Sequence, residues 1–125
     1  MEVFGNVYNV LGSCYFMDGC IFCKIVAGVI LAEMVLENSD FIVIKDAKPK
    51  VEGHVLVIPR KHCDNFMDLS EDLYSELFKT VKGAVEKIGC KDFNLVVNNG
   101  KVAGQVVGHF HLHILPRVDG DGFRV

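Results

Sequence analysis

An α+β domain is the fold this sequence predicts: an antiparallel sheet of about five strands crossed by one long helix, with a short helix near the N-terminus. Three observations predict it. Runs of β-branched residues come in two pairs, a single apolar stripe at helical spacing separates the pairs, and one strand-like segment alternates histidine with large apolar side chains. Taken in order, a short helix is expected at residues 24–27, after a Cys-Ile-Phe-Cys segment. Phe41-Ile42-Val43-Ile44 and Val55-Leu56-Val57-Ile58 follow as adjacent strands around a turn region marked by Pro49 and Gly53. Ser70 is placed to cap the long helix, with Glu71 and Asp72 favourable in its first turn. Leu73, Leu77, Val81, Ala84, Val85 and Ile88 recur at steps of three and four, and Gly89 stops the run. Asn94-Leu95-Val96-Val97 and the segment from Phe110 to Leu115 form the second strand pair, joined by a glycine-containing loop.

Composition narrows the function classes. The chain has 125 residues, 50% hydrophobic and 23% charged, which suits one domain with a substantial core. Its net charge of −3 offers no basic footprint for DNA or RNA, so a small anionic metabolite is the better ligand. No apolar run is long enough to span a bilayer. Residues 1–19 are apolar in character but begin Met-Glu, with no basic n-region and no clean cleavage site, and are expected to be an extension preceding a domain at 20–125; Met17 is an alternative start. Five cysteines, Cys14, Cys20, Cys23, Cys63 and Cys90, without a secretory signal point to a reducing compartment, the cytoplasm with the nucleus as a further option.

The chemistry is concentrated in His109-Phe110-His111-Leu112-His113-Ile114-Leu115. On a pleated strand the three imidazoles share one face and Phe110, Leu112 and Ile114 the other. Each imidazole left unpaired in a core would cost roughly 1–3 kcal/mol, so three together argue for a held anion or metal rather than for packing. The two remaining histidines, His54 and His62, bracket the second strand run. Directly upstream of the triad, Asn98-Asn99-Gly100-Lys101-Val102-Ala103-Gly104-Gln105 supplies residues that tolerate positive φ and close backbone approach, the makings of an anion nest or of an ordinary turn. Cys20-x-x-Cys23 leaves three readings open: a redox dithiol, buried thiols, or half of a metal site completed by imidazoles.

These motifs resemble the histidine triad family, whose signature alternates three histidines with apolar residues. The likeness extends from about residue 18 to 125. It includes Cys20-Ile21-Phe22-Cys23-Lys24-Ile25, Asp46, the run Gly53 to His62, Asn98-Asn99-Gly100, Gly104-Gln105, Pro116-Arg117 and Gly120-Asp121-Gly122-Phe123, and is nearest to the nucleoside phosphoramidase-like branch. The resemblance implies that the middle histidine, His111, attacks phosphorus to give a nucleotidyl-histidine that water cleaves. His113 would hold phosphoryl oxygens or assist proton transfer, and His54 would orient the site. It further implies a base pocket of Ile21, Phe22, Ile30 and Ala47, ribose contacts from Asp46, and an α-phosphate held by Asn98, Gly104, Gln105, Val106, His111 and His113. A structural zinc on Cys20, Cys23, His62 and His109, no catalytic metal, and a homodimer with a ten-stranded sheet are likewise implied.

The expected reaction is hydrolysis or transfer on purine nucleoside phosphoramidates or adenylates. Dinucleoside polyphosphate hydrolysis and a nucleotide-binding scaffold with negligible catalysis are the alternatives; a three-histidine catalytic metal site is a further one. Val106 departs from the family pattern, which commonly has a polar residue after Gly-Gln. The lost hydrogen bond, roughly 1.5–3 kcal/mol, predicts turnover lowered about tenfold or more.

Overall fold

The computed structural model describes Met17 and residues 19–125. Cys14 and most of the expected 1–19 extension lie outside the described residues. Among the described residues, five strands form one antiparallel sheet: β1 (Met34–Glu37), β2 (Phe41–Lys45), β3 (Val55–Pro59), β4 (Asp92–Val96) and β5 (Leu112–Arg117). Their spatial order is β1-β2-β3-β5-β4, so the connection that leaves β3 passes over one strand position before the chain returns as β4, and β5 fills the gap. β2 and β3 pair in full register from Phe41 opposite Pro59 to Lys45 opposite Val55.

Helix α1 covers Ile21–Val26 and helix α2 covers Leu73–Ile88. The short helix thus begins before residues 24–27. Its start is set by Cys20, whose sulfur accepts the Cys23 N–H at 3.3 Å, a cap outside the usual oxygen-bearing set. The start of α2 also differs from the sequence expectation. Asp72 rather than Ser70 occupies the capping position, with no side-chain cap bond, while the Ser70 carbonyl accepts the Leu73 N–H in the preceding turn. Glu76, not Glu71 or Asp72, is the acid of the first turn, and the helix ends at Gly89 as expected.

The sheet is covered on both faces by different partners. Leu77, Val81 and Ala84 of α2 pack with Phe41, Val43, Val55, Val57, Phe110, Leu112 and Ile114, and Leu73, Val85 and Ile88 flank them. Alternation sends Ile42, Ile44, Leu56 and Ile58 to the opposite face, where Phe22 and its neighbours in α1 cover them. The histidines lie on that second face. Regular pairing of β5 begins only at Leu112, so His109, Phe110 and His111 lie ahead of the strand, yet the alternation holds and Phe110 is buried against α2.

Candidate functional site

The five histidines separate into two clusters on the α1 face of the sheet, one at each end of the triad. In the first, Cys20, Cys23, His62 and His109 bring their ligand atoms together. His109 Nδ1 lies 3.3 Å from Cys20 Sγ, 3.6 Å from Cys23 Sγ and 3.1 Å from His62 Nδ1, and His62 Nδ1 lies 3.3 Å from Cys23 Sγ. Tetrahedral zinc with ordinary bond lengths would set sulfur and nitrogen roughly 3.6 Å apart and two nitrogens roughly 3.3 Å apart. The four donors fit that shell.

Ring tautomers agree with the fit. His109 Nε2 donates to the Pro59 carbonyl at 2.9 Å and His62 Nε2 to the Asp64 carboxylate at 3.0 Å, so in neutral rings both Nδ1 lone pairs point inward. Outer donors anchored on a carbonyl and a carboxylate are the arrangement that orients metal-bound imidazoles. The Cys20 thiol is held down to about 3 by the hydrogen bond from Cys23, with His109 adding to the effect, while Cys23 is pushed up because Cys20 takes the charge. One thiolate is already favoured before any cation is bound.

The second cluster comprises His54, His111 and His113. His111 Nδ1 donates to the His109 carbonyl at 2.8 Å, which fixes its neutral tautomer and leaves the Nε2 lone pair unprotonated. Its ring is 8% exposed and stands edge-on to Phe22, with centroids 5.1 Å apart. The Lys50 N–H, which can only donate, reaches His54 Nδ1 at 3.1 Å. His54 must then carry its proton on Nε2, which faces His113 Nδ1 at 2.9 Å and Asp46 Oδ2 at 3.4 Å. With Nδ1 accepting, His113 bears its proton on Nε2, and that buried atom is without a partner among the described residues. The Lys50 backbone amide, in the connection between β2 and β3, thereby dictates, through two rings, an N–H donor pointed at the site.

Asp46, His54 and His113 are close enough to suggest a second cation site. The Lys50 amide argues against it. His54 Nδ1 already uses its lone pair as an acceptor, so offering Nε2 to a metal would need an imidazole with neither nitrogen protonated. This trio is a hydrogen-bonded relay. Burial lowers the proton affinity of all three rings: His113 falls to about 4, through desolvation first and the neighbouring His111 and His54 next, and His111 and His54 fall chiefly through desolvation. All three are neutral at pH 7.

The remaining candidate residues surround this cluster unevenly. Phe22 is buried in edge-on contact with His109 and His111, whereas Ile21, Ile30 and Ala47 are exposed. Asp46 is half-buried, with Oδ1 accepting the Lys48 N–H and Oδ2 facing His54. Asn98 is half-buried at the head of the loop. Gly100 and Gly104 adopt φ of 92° and 94°, conformations that a side chain would strain, and between them lies a single 3-10 turn, Lys101–Ala103. The N–H groups of Ala103 and Gln105 return to the Gly100 carbonyl and that of Gly104 to the Lys101 carbonyl. The amides of Ala103, Gly104 and Gln105 are thus engaged within the loop, and Val106, which follows them, is 93% exposed. A cavity of about 420 Å³ opens between Gly19–Ile21 and Val106–Gly108, with His62 and Asp64 on its wall, beside the four-ligand cluster.

Several contributors carry no sequence signal. The segment 62–66 ties the whole region together: the Cys63 carbonyl accepts the Phe110 N–H at 2.8 Å, the Asp64 carbonyl accepts from Gln105 Nε2 at 2.6 Å, and the Phe66 N–H donates to Asn99 Oδ1 at 2.8 Å. Backbone groups do most of this, and backbone groups are the same in every residue. The terminal segment is fixed by Arg117, which forms a bidentate pair with Asp121 at 2.8 Å for both bonds and also binds Asn94. Among the described residues, no helix is long and apolar enough to cross a membrane.

The HIT domain model matches residues 27–120. The chain is 45% identical over 106 residues to an uncharacterised HIT-like protein of Methanocaldococcus jannaschii, covering 82% of each. It is 38% identical over 98 residues to an adenosine 5'-monophosphoramidase of Schizosaccharomyces pombe, covering 78% of this chain and 74% of that protein. Among solved structures, a HIT family protein from Bacillus anthracis superposes with a TM-score of 0.80 at 40% identity, over 86% of this chain and 80% of that one. A HIT family hydrolase from Clostridium thermocellum does so with a TM-score of 0.79 at 32% identity, over 87% and 98%. With this family match spanning most of the chain and the histidine pattern in place on the fold, the chain belongs to the HIT domain family.

Proposed function

We propose that this chain hydrolyses or transfers nucleotidyl groups from purine nucleoside phosphoramidates or adenylates through a covalent intermediate on His111. The observation that carries the reading is the pair of opposed tautomers. His111 is anchored through Nδ1 and offers Nε2 as a lone pair, while His113 offers Nε2–H as a donor without a partner. Attack on phosphorus needs the first and a developing oxyanion or departing amine needs the second. In the first step the His111 Nε2 pair forms the N–P bond as the P–N or P–O bond to the leaving group breaks, and the leaving group takes the proton of His113 Nε2–H, which the attacking water restores in the second step. Water then attacks phosphorus, His111 departs, and AMP is released. His113 is the donor nearest to both events, and His54 holds its tautomer through the Lys50 amide. Asp46 is the ribose-binding acceptor, Ile21, Phe22, Ile30 and Ala47 border the base, and Asn98 and the backbone of Gly104, Gln105 and Val106 shape the phosphate site.

Cys20, Cys23, His62 and His109 would hold a structural zinc, which would supply a crosslink between α1 and the sheet. No proton transfer is assigned to those four residues. The domain spans residues 20–125 and works in a reducing compartment such as the cytoplasm. Pairing as a homodimer is supported by β4, which is an edge strand with Phe93 and Leu95 exposed, and by the exposed Phe78 of the long helix. Phe93→Lys should convert the dimer to a monomer on gel filtration; an unchanged elution volume would remove this interface.

A turnover screen tests the reaction class. AMP-lysine and AMP-morpholidate should be cleaved faster than diadenosine polyphosphates, with and without chelator. Preference for the dinucleotides would move the chain to the polyphosphate hydrolases, and tight AMP binding without turnover of any of them would make it a binding protein.

A further inference from the structure

Gln105 immediately precedes the last turn before the triad, and its side chain is entirely engaged. Oε1 accepts the Gly100 N–H at 2.8 Å, and Nε2 donates to the Asp64 carbonyl at 2.6 Å and the Val107 carbonyl at 3.1 Å. Its own N–H is used on the Gly100 carbonyl at 3.1 Å. No N–H of Gln105 is left for a phosphate, so its contribution to that site must be indirect. On one side it holds Gly100, the hinge from which the 3-10 turn of the loop springs. On the other it holds Asp64, whose carboxylate orients His62 by accepting Nε2–H at 3.0 Å. A continuous path of short bonds therefore runs from the four-ligand cluster through His62, Asp64 and Gln105 to Gly100 and the phosphate loop, and Phe66 with Asn99 supplies a parallel tie.

We propose that Gln105 is a positioning residue that couples the Cys20, Cys23, His62, His109 cluster to the phosphate loop, so that a metal bound there tightens nucleotide binding. The inference rests on the nucleotide-binding reading above. With metal, His62 is fixed and the Asp64 carbonyl stands where the Gln105 amide meets it; without metal, the 62–64 segment is freer and the loop loses one of its two anchors. Linkage makes the effect reciprocal: AMP must then retain metal by the same factor by which metal retains AMP.

The experiment compares zinc-loaded and zinc-free protein in AMP titrations, and measures zinc transfer to a chelator with and without AMP. The wild type should bind AMP about fivefold or more tightly with zinc, and AMP should strengthen zinc retention by the same factor. Gln105→Met keeps the length of the side chain and removes all three of its hydrogen bonds. It should still bind one zinc per chain and melt cooperatively, but bind AMP no more tightly with zinc than without. Gln105→Asn, too short to span both anchors, should behave likewise. Equal AMP affinity of the two wild-type forms overturns the coupling and leaves the nucleotide-binding reading standing, and so does full coupling in Gln105→Met. Absence of AMP binding in both forms overturns that reading, and the coupling with it.

Discussion

His109 and His111 lie two residues apart on one face of the same segment, and they use the same ring in opposite ways. His109 is anchored through Nε2 by the Pro59 carbonyl and turns Nδ1 toward two thiols and a second imidazole. His111 is anchored through Nδ1 by the His109 carbonyl and keeps Nε2 for the site. Phe22 stands edge-on to both rings. The difference teaches that the identity of a histidine's carbonyl partner, rather than its place in a motif, decides whether the ring suits a cation or an electrophilic phosphorus.

The largest expected effect separates the two rings. His111→Ala should lower kcat/KM for AMP-lysine by about 10⁴-fold or more while the protein still melts cooperatively, because it removes the nucleophile and leaves the rest of the site in place. Activity within tenfold of the wild type would assign the attack elsewhere. Chelation should do the reverse. Stripping the four-ligand cluster should lower the melting temperature by about 10 °C, the effect of roughly 3 kcal/mol on a domain of this size, with kcat at saturating substrate unchanged. A proportional loss of kcat would place the metal in the chemistry.

How much of this contrast was legible in the sequence depends on which atoms produce it. The apolar stripe of α2, the β-branched strands β2 and β3 and the alternation around Phe110, Leu112 and Ile114 are side-chain patterns, and each is found in the core where its period places it. β1 was not legible, because Met34-Val35-Leu36-Glu37 is a four-residue edge strand with no alternation in its burial and a register shift against β2. The start of α1 was hidden because a cysteine sulfur caps it, and that of α2 because a turn bond at Ser70 replaces the cap. In the site, the residue types were readable and the tautomers were not. The amide of Lys50 and the carbonyls of Pro59, Cys63, Asp64 and His109 set the geometry, and no residue type announces them.

Two smaller effects sharpen the comparison. Val106→Ser restores a hydroxyl at the loop amide nearest the phosphate site and should raise kcat up to about tenfold; no gain would show that backbone donors suffice there. The pH profile reports the burial of the second cluster. His113, held down to about 4, refuses a proton that the unfolded chain takes up below about 6.5, so stability should be flat above that pH and fall as pH drops from about 6.5 to about 4. Because His111 is lowered as well, kcat/KM should keep its plateau below the ordinary imidazole range before it declines. A decline already complete at pH 6.5 would mean that the rings are solvated.

The stereochemical course at phosphorus tests the central claim most directly. A chiral adenosine phosphorothioamidate cleaved in isotopically labelled water should yield product with retained configuration, since attack by His111 and then by water inverts phosphorus twice. Net inversion would mean a single displacement by water and would contradict a nucleophilic His111.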